Sequence, residues 1–78
     1  DAQRGGNTVL PALERHLILH KENLKIYQTI FAKDFANGQD QDRTQFIHKM
    51  ILQLGIDLEM GWITWLETMI PQLKAFDQ

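Results

Sequence analysis

The sequence predicts an all-α fold: an antiparallel pair of long helices, with a third helix if the second breaks at Gly55, forming a helical bundle as a dimer. Three observations predict it. Apolar residues recur at steps of three and four in both halves of the chain. Between the halves stand Asn37-Gly38 and the polar run Gln39 to Asp42, a helix stop followed by a short loop that forces a hairpin. Nowhere do apolar and polar residues alternate with period two, so no sheet is expected.

Asp1 to Thr8 reads as a flexible lead-in or linker, because Gly5-Gly6-Asn7 disfavours regular structure. Residues 9–78 then form the helical domain. Helix one is expected to start near Leu10 or Pro11, where proline loses no backbone donor, with Asn7 or Thr8 as cap. Leu10, Leu13, Leu17, Leu24, Tyr27 and Phe31 form its stripe, with His20 filling the step between Leu17 and Leu24. The helix is expected to end around Ala36. Asp40 or Asp42 can cap helix two, and Asp42-x-x-Gln45 has the form of a capping box. Helix two is expected from about Arg43 to Lys74, continuous through Gly55 because the apolar phase carries on without a shift. Its stripe is Ile51, Leu54, Leu58, Trp62, Trp65, Leu66, Met69 and Leu73. Gly61 is expected to make room for a bulky neighbour, and Pro71 to disrupt the last turns.

Seventy-eight residues make one small domain, near the lower limit for a self-sufficient core. The chain has no cysteine, which excludes disulfides and zinc-thiolate sites and suits a reducing cytoplasm. With 44% apolar and 23% charged residues, the composition is that of a folded protein. The net charge is −2 with no Lys/Arg cluster, so the residues themselves offer no surface for nucleic acid. No apolar run approaches the ~20 residues needed to span a bilayer. The chain starts with Asp, and the expectation is a processed product or an excised piece of a longer protein.

One seam between two helices cannot cover this many large apolar groups. A tryptophan or phenylalanine offers ~150–250 Å² for burial. Left uncovered, several of them exceed the few hundred Å² that a monomer tolerates. A symmetric dimer of hairpins removes that exposure. The residues expected at its interface are Leu54, Leu58, Trp62, Trp65, Leu66, Met69 and Leu73, with Leu17, Leu24, Tyr27 and Phe31 as their partners.

Trp62 and Trp65 read first as anchors of that interface, and second as contacts for an aromatic ligand. His16 and His20 stand four apart on a helix, the spacing of a two-histidine metal clamp, but Glu22 is off their face and no HExxH motif exists. The expectation is no metal, with His20 a partly buried, hydrogen-bonded residue and His16 exposed. Glu59 and Glu67 flank the tryptophans, yet no nucleophile or phosphate loop accompanies them, so no catalysis and no cofactor are expected. Glu59 is expected to pair with a cation across the bundle or to face water. Asp40 and Asp42 lack the spacing of a calcium loop.

Leu13-Glu14-Arg15-His16-Leu17 with His20, Leu24 and Tyr27, then Leu52-Gln53-Leu54-Gly55-Ile56, Glu59 and Trp62-Ile63-Thr64-Trp65-Leu66-Glu67, resembles the C-terminal domain of PadR-family transcriptional regulators. The match runs from about Leu10 to Leu73. The resemblance implies a cytoplasmic homodimeric regulator whose N-terminal winged helix, absent from this chain, contacts DNA. It also implies that the C-terminal helices hold the dimer and that a small phenolic or other aromatic effector is a candidate ligand. Two other readings remain: a helical module that binds an amphipathic helix of another protein, and a carrier with a dry pocket around the tryptophans.

Overall fold

The structure, a computed structural model, describes residues 2–35 and 42–78, with side chains from Thr8 onward. Two helices account for nearly all of them. α1 spans Ala2–Phe35 and α2 spans Arg43–Asp77. They pack antiparallel as one long hairpin, with extents of 59 × 18 × 14 Å. No strand occurs among the described residues.

α2 starts where its cap directs. Asp42 has extended backbone (φ −76°, ψ 177°), and its Oδ1 accepts from the Gln45 backbone N–H at 2.8 Å. The Gln45 side chain accepts in return from the Asp42 N–H at 3.2 Å. Two backbone donors at the start of the helix, those of Asp42 and Gln45, thus gain local acceptors, as a capping box requires. The predicted stop at Asn37-Gly38 and the alternative cap Asp40 lie outside the described residues.

Two proline expectations need correcting. α1 begins at Ala2 rather than near Leu10, so the backbone over most of the predicted lead-in is helical and Pro11 lies inside the helix. α2 likewise runs past Pro71 to Asp77 instead of failing near Lys74. An interior proline removes one hydrogen bond to the fourth residue before it and crowds that carbonyl. The bonds on either side remain, and here they carry the helix through. α2 also continues unbroken through Gly55 and Gly61.

The seam obeys a rhythm of three and four on both helices. On α2 the four buried residues are Leu52, Ile56, Leu66 and Ile70. Glu59 and Ile63 fill the steps between them and are half-buried. On α1 the predicted stripe, Leu10, Leu13, Leu17, His20, Leu24, Tyr27 and Phe31, is half-buried, and Ala12, Asn23, Ile30 and Phe35 join it. A strict 3–4 repeat keeps one narrow stripe facing one partner helix, which is why two rods stay in contact over this length.

Within the hairpin the glycine that makes room is not Gly61. It is Gly55 that makes room: a Cβ built there would lie 3.4 Å from Cδ2 and Cε2 of Tyr27, so the tyrosine ring rests against bare backbone. At Gly61 an added Cβ would meet nothing within 4 Å. The bulky neighbour expected at Gly61 is not found among the described residues of this chain.

Candidate functional site

α2 carries two apolar stripes, and α1 covers only one. Ile51, Leu54, Leu58, Trp62 and Trp65 keep 63%, 58%, 57%, 52% and 49% of their surface exposed. At 100° per residue this second stripe is centred roughly 120° around the helix from the Leu52–Ile70 seam. Leu19 and Ile26 of α1 are also about half-exposed, and helical phase puts them on the same flank of the hairpin. The result is one apolar face drawn mainly from α2, with a border from α1.

The expected interface residues divide accordingly. Leu54, Leu58, Trp62 and Trp65 lie on the open face. Leu66 is 1% exposed and belongs wholly to the seam. Met69 and Leu73 are half-buried at its edge, and Leu17, Leu24, Tyr27 and Phe31 line its α1 side. These α1 side chains therefore pack within the hairpin rather than standing free for a partner. The seam residues Leu52, Ile56, Ile63 and Ile70 were absent from the predicted stripe. The signal for them was the polar pair that shares their phase.

That pair is His20 and Glu59. The half-buried imidazole donates from Nδ1 to Glu59 Oε2 across the seam. Asn23 Nδ2 donates to the other carboxylate oxygen at 3.5 Å. Both carboxylate oxygens thus have donors from α1, which satisfies a polar group set between apolar layers. The expectation that His20 is hydrogen-bonded and that Glu59 reaches across the bundle resolves into this one contact.

The same histidine supports the tryptophans. Its ring stacks on Trp62 with centroids 5.1 Å apart and planes 2° from parallel. Trp62 meets Trp65 edge to face at 6.4 Å, and the exposed His16 stacks behind His20 at 6.1 Å. The Trp62 indole is therefore held from within by a ring that is itself fixed by Glu59. Between the indoles, Leu58 and Gly61 lies an open groove of about 450 Å³.

At the loop end, Phe35 meets His48 edge-on at 5.5 Å and Lys49 Nζ lies 5.8 Å over the Phe31 ring. Exposed ion pairs, Lys21–Glu67 at 3.2 Å and Lys74–Glu14 at 3.6 Å, tie the helices together on the rim. Each is worth at most about 1 kcal/mol in water. Among the described residues no group of three His, Cys, Asp or Glu could hold a metal ion. Among them, too, no helix is long and apolar enough to cross a membrane.

Fold and surface together define a helical hairpin domain with one apolar face closed and one open. The family described as virulence activator alpha C-term matches residues 2–74, nearly the whole chain, and the chain belongs to that family, a helical domain found in regulators. No curated protein and no solved structure matches it.

Proposed function

We propose that this hairpin is the dimerisation domain of a PadR-like transcriptional regulator, without catalysis of its own. Two copies pair through their open faces and set the separation of two winged helices, which belong to the N-terminal part of such regulators and make the DNA contacts. The observation that supports this reading most is the open apolar face. Two half-exposed indoles alone leave on the order of 200 Å² uncovered. With Ile51, Leu54 and Leu58 the patch passes what a monomer ordinarily leaves in water. Membership of a family of regulator C-terminal domains supports the same reading. The working compartment is then the cytoplasm, where the DNA is.

Sedimentation equilibrium of the chain tests this directly. The expected result is twice the 9.1 kDa chain mass at low micromolar concentration. A single-chain mass would favour the rival reading, a groove for another protein's amphipathic helix.

The groove between Trp62 and Trp65 supports effector sensing as a second role of the same face. An aromatic ligand stacked there would report itself on the indoles. Titration with a phenolic compound is expected to quench tryptophan fluorescence saturably. A flat titration would remove the sensing role and leave dimerisation untouched.

A further inference from the structure

Gly61 is a poor helix residue with no explanation among the described residues of its own chain. Gly55 has one, since Tyr27 occupies the space its side chain would fill. Gly61 instead opens into the groove walled by Leu58, Trp62 and Trp65. A bare backbone position among large apolar side chains is where another helix can approach closely.

Resting on the dimer reading above, we propose that α2 of a second copy crosses α2 antiparallel at this point, with the two-fold axis passing between Gly61 and Trp62. The spacing of the open stripe fits a second copy. Under that axis Leu58 faces the partner's Trp65, Leu54 faces the partner's Met69, and Ile47 faces the partner's Phe76. Any repeat of threes and fours is symmetric about several of its gaps, so symmetry alone leaves the axis free to shift. Gly61 marks this gap. An axis one gap earlier, near Ile56, would carry Phe76 past the beginning of the opposing α2.

Size and charge point the same way. From Ile47 to Phe76 the stripe is about 44 Å long at 1.5 Å per residue. Across a hairpin 18 Å wide, that length offers on the order of 800 Å² per copy, the half-share of a standard stable interface. No member of the stripe is charged, and Gln72, opposite the partner's Ile51, is its one polar residue. Two identical faces therefore meet without like-charge repulsion. The face also holds both the projecting Trp65 and the recess at Gly61, so it complements itself.

The chain has no cysteine, so introduced ones read cleanly. Disulfides need Cβ atoms within about 3.5–4.5 Å. Under mild oxidation Gly61→Cys, and as a second near-axis variant Trp62→Cys, are expected to form covalent dimers at least ten-fold more readily than Phe76→Cys. The double variant Ile47→Cys/Phe76→Cys is expected to cross-link where neither single variant does. Retained helicity by circular dichroism keeps each result interpretable. If Phe76→Cys alone links as fast as Gly61→Cys, the helices run parallel and the proposal fails. If the unmodified chain sediments as a dimer while neither near-axis variant links, the crossing point is wrong but the dimer stands. A single-chain mass for the unmodified protein overturns both.

Discussion

Leu66→Ala is expected to lower the stability of the hairpin by about 2–5 kcal/mol, the range for a buried leucine cut back to alanine. Leu66 is the most completely buried large side chain of the core, at 1% exposure. Among the described residues only three other apolar ones, Leu52, Ile56 and Ile70, are buried with it. A core this small leaves a folded state of few kcal/mol, so one cavity removes a large share of it. Alanine favours helix as well as leucine does, so the loss comes from packing across the seam and not from helix propensity. Urea unfolding is the measurement, with Leu58→Ala beside it. Leu58 is 57% exposed in the single chain. Its truncation is expected to matter only as protein concentration rises and dimer formation contributes to stability. If Leu58→Ala shifts the midpoint at high dilution while Leu66→Ala does not, the closed and open faces of α2 have been exchanged.

That pair of variants also marks where the sequence was legible. α1 presents one continuous stripe from Leu10 to Phe31, and the structure turns that stripe into the seam, half-burying each of its members. The start of α2 was legible because Asp42 and Gln45 satisfy each other's backbone donors locally, without reference to tertiary structure. The face of α2 was harder because it carries two stripes of equal apolar quality and similar rhythm. Hydrophobicity cannot choose between them. Glu59 chooses: it shares a phase with Leu52, Ile56 and Leu66, and its carboxylate accepts the hydrogen bond that His20 brings to the seam. The tryptophans drew attention to the other stripe because of their size. Proline misled for a related reason, since its local penalty is readable from the sequence while the flanking helix bonds that outweigh it are cooperative. The role of Gly55 was not legible because the space beside a glycine is set by the opposite helix, and the register is fixed only once His20 meets Glu59.

Trp65→Ala is expected to leave the single hairpin folded and to weaken the dimer by about 2–4 kcal/mol, a rise in Kd of roughly 30- to 1000-fold. The indole is 49% exposed and touches Trp62 only edge-on, so the chain by itself loses little when it is removed. Alanine raises helix propensity, so any fall in mass cannot be blamed on a frayed α2. In a two-fold interface the change is made twice, and each copy loses both the ring it inserts and the ring it receives. Trp62→Ala is a less clean probe, because its ring also covers His20 and with it the hydrogen bond to Glu59. Sedimentation at several concentrations, with circular dichroism at each, separates the two consequences. A Trp65→Ala chain that keeps the wild-type mass at low micromolar concentration would mean that the open face is not what holds two copies together. A wild-type chain already at single-chain mass would mean that this face awaits a different partner.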